Sequence, residues 1–216
     1  MAGKDVNEVG RLDEKKKKKR EDLLNATYEL FTSKGVFDTS ISDIVKKANM
    51  AKGTFYLYFK DKYQARDVLI QNEAMRLFNN AHLELEKNDI QDFEDAVVYI
   101  INQVLLQLEN NPIILKFIER NLSWGIFHEH LQNTIEGNTL DLVSNFRSLA
   151  EKNGYYFDRP EVVLYIIIET AGSTCYNSIL YDQPLPIKEF KPYLFQSIRA
   201  ILRSYKAEQP AKEQKQ

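Results

Sequence analysis

Apolar positions along this chain recur at intervals of three and four and almost never alternate, so the pattern is written for helices rather than strands. Leu23, Leu24, Tyr28, Leu30 and Phe31 form one stripe that stops at Gly35, a residue favoured just past a helix end. Ile41, Ile44, Val45 and Ala48 form a second, shorter stripe with Lys46 and Lys47 opposite, opened by Ser40 and Asp43 at capping-box spacing. Asn49 tolerates the left-handed backbone that a tight interhelix turn needs, and Met50 sits under that turn as an apolar plug. A third helix is expected over residues 52–59, with Phe55 and Phe59 four apart and facing inward. Asp61 then caps a fourth, periodic through Tyr63, Val68, Leu69, Met75, Leu77, Phe78, Leu83 and Leu85 to residue 87, a span of ~40 Å. Five further helices are expected at 90–109, 112–122, 128–152, 160–181 and 187–206, separated by Pro112, Gly125, Gly154 with Pro160, and Pro184 with Pro186. The fold class is all-α. A three-helix helix-turn-helix domain occupies 15–62 and a helical bundle 63–206, flanked by an unstructured arm over 1–14 and a flexible tail over 207–216.

Charge sharpens this division. The 216 residues carry a net charge of −2, but residues 1–62 hold 14 Lys and Arg against 10 Asp and Glu, whereas residues 63–216 hold 15 against 21. A cationic first part on an acidic body points to a polyanionic partner for the first part alone. Cys175 is the sole cysteine, which excludes an internal disulfide and suits a reducing compartment. The longest apolar run, Val162 to Ile168, is broken by Glu169 far short of the ~20 residues of a membrane span, so a cytoplasmic protein with no membrane association is expected.

Helix propensity does not explain Gly53 and Thr54 in a first turn, whereas close approach to DNA does. With Phe55 and Phe59 inward, Lys52, Gly53, Thr54, Tyr56, Leu57 and Tyr58 occupy the outward arcs where a duplex would be met. The run from Lys52 to Lys62, KGTFYLYFKDK, resembles the DNA-binding domain of the tetracycline-repressor (TetR) family, whose typical run is K-G-T-x-Y-x-Y-F followed by K, a capping residue and K. Leu30, Phe31 and Gly35 also stand at the family's places in the preceding helix. Two residues depart from it: Asn49 replaces the usual Gly, and Ala51 replaces a Ser or Thr cap, a loss of about 1 kcal/mol of helix stability.

The resemblance implies that Lys52, Tyr56, Leu57, Tyr58 and Ser42 lie near base edges, and that Thr54, Lys62 and Thr39 fall on phosphate-contact positions. Lys52 has the clearest chemistry, because an ammonium donates to guanine O6 and N7. The run Lys15 to Lys19 with Arg20 is expected just ahead of the first helix, either touching phosphates or forming a solvated turn. In the body, Glu169, Thr170, Ser173, Thr174 and Asn177, with Asn102 and Gln103, place polar groups in apolar helices. Such groups need partners, supplied by a ligand or by a helix–helix interface. Tyr99, Trp124, Phe127 and Tyr176 are the candidate ligand contacts, and by resemblance 160–181 and 187–206 pair across a homodimer axis. His128 and His130 do not share a helix face and have no further Cys or His near them in sequence, so no metal site is expected. No nucleophile motif, phosphate loop or paired-carboxylate arrangement stands out, so neither catalysis nor a cofactor is expected.

The function these features favour is a DNA-binding transcriptional regulator, a homodimeric repressor on a palindromic operator, released by a small apolar or amphipathic effector. A DNA-bound architectural or cell-division factor without an effector is the alternative. An activator on the same fold would carry the same features, the sign of regulation depending on operator position, whereas an all-helical enzyme or carrier would need a polar catalytic cluster that the sequence does not show.

Overall fold

A computed structural model describes residues 5–118 and 142–208. Among these residues the secondary structure is helical throughout, with a lone antiparallel bridge between Tyr156 and Ala207. The helices are α1 Asp5–Lys34, α2 Ile41–Lys47, α3 Lys52–Tyr56, α4 Lys62–Glu86, α5 Phe93–Glu109, α6 Pro112–Ile118, α7 Leu142–Lys152, α8 Pro160–Tyr181 and α9 Ile187–Ser204. Alpha-carbon packing divides the chain into two compact units after Ile70, eight residues beyond the boundary expected at 62, so that α4 contributes to both.

Three boundaries differ from the sequence reading. Helix α1 begins at Asp5, so residues 5–14 are helical instead of an unstructured arm, and Lys15 to Lys19 lie inside the helix rather than ahead of it. Helix α3 stops at Tyr56, because the amides of Leu57 and Tyr58 turn back on Thr54 and Phe55 in tighter, three-residue bonds. Helix α5 opens at Phe93, where the Asp92 carboxylate accepts the Asp95 amide at 2.9 Å. The expected 112–122 and 128–152 helices are seen as α6 and α7, their remaining residues lying outside the described ones.

In the N-terminal unit, α1, α2 and α3 bury Leu23, Leu24, Phe31, Ile44, Val45, Phe55 and Phe59, joined by Ala65, Leu69 and Ile70 of α4. The C-terminal unit packs α5, α7, α8 and α9 around Phe93, Ile101, Val104, Phe146, Ile167, Ile168, Ile198 and Leu202. The Phe93 ring lies 4.8 Å from that of Tyr155 and 5.6 Å from that of Phe146. Beside this cluster the buried Glu94 carboxylate accepts two bonds from the Arg203 guanidinium, each 2.8 Å, and one from the Tyr155 hydroxyl at 2.7 Å. The Arg203 bonds hold the Glu94 carboxyl below the usual range, while the bond to Glu94 pushes the Tyr155 phenol up to about 12. Glu94 thus fastens α5 to α9.

Helix α8 corrects one expectation. Thr170 donates to the Ile166 carbonyl at 2.7 Å, Thr174 donates to that of Thr170, and Ser173 bonds Glu169 at 3.2 Å. These hydroxyls are satisfied within their own helix, so they require neither ligand nor partner. Cys175 is buried on the same helix, and loss of solvation pushes its thiol up to about 11.

Candidate nucleic-acid interface

The turn that presents α3 is set by backbone chemistry. Asp43 accepts from the Ser40 amide at 3.0 Å and the Ser40 hydroxyl accepts from the Asp43 amide at 3.1 Å, completing the expected capping box. The Ser40 amide, Lys34 Nζ at 3.0 Å and the Ser40 hydroxyl at 2.9 Å, all donating to it, hold the Asp43 carboxyl down at about 2. Helix α2 ends at Asn49, whose φ of 53° is the left-handed turn its identity implies, and α1 ends at Gly35 with φ of 90°. Beyond the turn, Ala51 caps α3 with backbone alone.

Of the six residues expected outward on and just after α3, four are exposed and two are half-buried. Lys52 and Gly53 are exposed, Tyr56 is 52% and Leu57 80% accessible, Thr54 and Tyr58 are half-buried, and Phe55 and Phe59 are buried beneath them. Ser42 is exposed on the first turn of α2. A side chain at Gly53 would meet nothing within 4 Å in the protein. Nothing within the protein requires a glycine there for space. An ammonium, a phenol and an isobutyl group on one short exposed helix can donate to guanine, bond to phosphate or base, and touch thymine methyls.

Two expected phosphate contacts are engaged inside the protein. Thr39 is buried, and its hydroxyl donates to the Gly35 carbonyl at 2.7 Å. Lys62 Nζ donates to the carbonyls of Val36, Phe37 and Thr39 at 2.8, 3.1 and 2.9 Å. An ammonium has three N–H donors, and these acceptors use all of them. Lys62 therefore ties α4 to the loop between α1 and α2, a contact spanning 23 to 26 residues that no local pattern reveals.

In the C-terminal unit, a cavity of about 300 Å³ lies among α4, α5, α7 and α8. Its wall is mostly apolar, including Phe78, Leu85, Ile101, Phe146, Leu164 and Ile168, with His82, Glu86, Asn145, Ser148 and Lys152 as its polar lining. Among the described residues no three or more His, Cys, Asp or Glu are grouped to hold a metal ion, and no helix is long and apolar enough to cross a membrane.

A family model described as "Bacterial regulatory proteins, tetR family" matches residues 23–64, the same stretch that builds this turn and α3. Residues 23–64 form a DNA-binding domain of the TetR family.

Similarity to TetR-type regulators extends past that segment. An uncharacterised helix-turn-helix transcriptional regulator of Haemophilus influenzae is 29% identical over 190 residues, covering 87% of this chain and 94% of its own. A protein of Escherichia coli K12 named "Probable acrEF/envCD operon repressor" is 25% identical over 124 residues, 53% of this chain and 56% of its own. In fold, the chain is similar to the transcriptional regulator FadR of Bacillus subtilis, solved in complex with stearoyl-CoA, with a TM-score of 0.52 and 13% identity over 82% of this chain and 96% of that one.

Of the expected ligand contacts, the two among the described residues, Tyr99 and Tyr176, do not line the cavity of about 300 Å³. Tyr99 lies on an open depression with Asn102, Phe195 and Arg199, where its hydroxyl accepts from Asn88 at 2.9 Å. Tyr176 lines a void of about 10 Å³, too small for an organic guest. Trp124 and Phe127, like His128 and His130, lie outside the described residues. The cavity wall comes instead from Phe78, Leu85, Val97, Ile100, Ile101 and Phe146, residues whose helical spacing marks them equally as core. Only a gap between four helices distinguishes the two.

Proposed function

We propose that this protein is a homodimeric repressor of the TetR family whose two α3 helices enter successive major grooves of a palindromic operator, about one helical turn (~34 Å) apart. The observation that carries this reading is α3 itself, five residues with Lys52, Gly53 and Tyr56 exposed and Phe55 pinned beneath. Lys52, Tyr56, Leu57, Tyr58 and Ser42 read bases, and Thr54 meets phosphate. Exposed Val162, Tyr165 and Tyr181 of α8 and Tyr193 of α9 are apolar surface that a second copy would cover. The cavity lined by α4, α5, α7 and α8 supports the effector half of the proposal. Its volume of about 300 Å³ is at the small end of the range for organic ligands, and its apolar wall with a few polar groups suits an amphipathic guest. A protein of the same fold solved with stearoyl-CoA agrees with a guest carrying an apolar chain. The effector acts on α4, which supplies Phe78 and His82 to the cavity and Lys62 to the reading unit.

Selection of bound fragments from random duplex DNA, followed by sizing of the complex, tests this. The expected product is an inverted repeat bound by two chains, with Tyr56→Ala and Lys52→Ala lowering affinity for it while the free protein keeps its size. A coupling of 1–3 kcal/mol makes a saturating effector weaken the complex about 5- to 150-fold. Recovery of sequences without symmetry, or binding by one chain, refutes the dimeric operator reading. Operator affinity that no amphipathic effector shifts refutes the release mechanism.

A further inference from the structure

The cationic run at Lys15 to Arg20 lies within α1, where residues 10–21 are all exposed. Successive residues on a helix turn by 100°, so six adjacent cations cannot face one surface. Arg11, Lys15, Lys18 and Lys19 do share a face, within an arc of about 100°. Lys16 and Lys17 point elsewhere, and Lys16 lies 4.0 Å from Asp13. The last cation of the run, Arg20, places its guanidinium 5.7 Å over the ring of Phe59. That ring lies 5.5 Å from the Phe55 ring and 6.5 Å from the Tyr58 ring, so Arg20 joins the run to the segment around α3 from another side of α1, about 100° around the helix from Lys19. From Arg20 back to Lys15 is about 8 Å along the axis, hardly more than the reach of a lysine side chain.

We infer that the Arg11, Lys15, Lys18 and Lys19 face of α1 is a second DNA-contacting surface, which grips phosphates flanking the bases under α3. Its occupant follows from charge complementarity, on the compact unit that also carries α3. Each phosphate neutralised releases counterions, so the surface adds affinity without sequence preference and makes that affinity steeply salt-dependent. It thereby lengthens the footprint beyond the half-sites that α3 reads. This inference rests on the DNA-binding reading above.

The test uses the full chain, a 40-bp duplex recovered by selection from random sequence, and a mixed-sequence duplex of equal length. Binding is measured by fluorescence anisotropy from 50 to 300 mM salt, and far-UV circular dichroism checks each variant's fold. The variant with Arg11→Gln, Lys15→Gln, Lys18→Gln and Lys19→Gln is expected to lower the slope of log K against log salt by about 3–4 per chain. Its preference for the selected duplex is expected to stay at the wild-type ratio. The Lys15→Gln, Lys18→Gln pair is expected to lose about half of that slope, and the Lys16→Gln, Lys17→Gln pair less than one. A wild-type slope in the fourfold variant, or an equal loss per charge in the Lys16, Lys17 pair, overturns the inference. Loss of binding to phosphatidylglycerol vesicles with no change on duplex would likewise overturn it, assigning the face to membranes. Failure of the wild type to prefer its selected duplex over mixed sequence would instead count against the DNA-binding reading itself.

Discussion

Gly53 separates what folding needs from what function needs. In a helical first turn, glycine costs up to about 1 kcal/mol relative to alanine, and the space around its α-carbon is open within the protein. Gly53→Ala is therefore expected to leave thermal stability equal or slightly raised while weakening operator binding at least tenfold, checked by calorimetry and anisotropy on the same preparation. Equal binding by the two proteins would show that DNA does not approach α3 at that point. Lys62 behaves in the opposite way. Its ammonium meets three carbonyls in the α1–α2 loop, so Lys62→Met is expected to destabilise the N-terminal unit by about 2 kcal/mol in urea unfolding. The salt slope of DNA binding is expected to hold, whereas a phosphate contact at Lys62 would lower it by about one.

Short-range backbone chemistry made several elements legible in the chain alone. Ser40 and Asp43 announced the start of α2, Asn49 and Gly35 announced left-handed turns, and Asp61 announced α4, where its carboxylate accepts the Tyr63 and Gln64 amides at 2.9 and 2.8 Å. Each of these signals spans four residues or fewer. The first half of α1 was not legible, because residues 5–20 carry no apolar period of helical spacing. Thr39 and Lys62 were assigned to phosphate because sequence position says nothing of burial or of acceptors more than 20 residues away. The exposed residues of α3 needed only local spacing around Phe55 and Phe59, whereas the cavity wall drew residues from four helices. At this scale α3 is the least reinforced element: five residues, no side-chain cap. Ala51→Ser would restore the acceptor, and is expected to raise the stability of the reading unit by about 1 kcal/mol in urea unfolding.

At the level of the whole molecule, the C-terminal unit is held by contacts between distant residues, and Glu94 is the clearest case. Its carboxyl titrates lower in the folded state than the ordinary 4.5, so its contribution is complete above that value and falls away as pH drops through the depressed one. Tyr155 titrates upward, from 10 to about 12, so its contribution is complete below 10 and is lost as pH rises to about 12. The stability difference between wild type and Tyr155→Phe, read by urea unfolding, is expected to be constant from pH 7 to 10 and to shrink toward zero by about 12. A difference that persists at that pH would place the stabilisation in ring packing against Phe93 instead of the hydroxyl. Cys175, the chain's sole thiol, gives the body a chemical clock. A disulfide dye can reach that sulfur only when the packing around it opens, so the labelling rate falls as openings become rarer. Because Phe78, Ile101 and Ile168 border both the thiol and the large cavity, a compound lodged there would slow the clock, and effectors could be screened with no operator in hand.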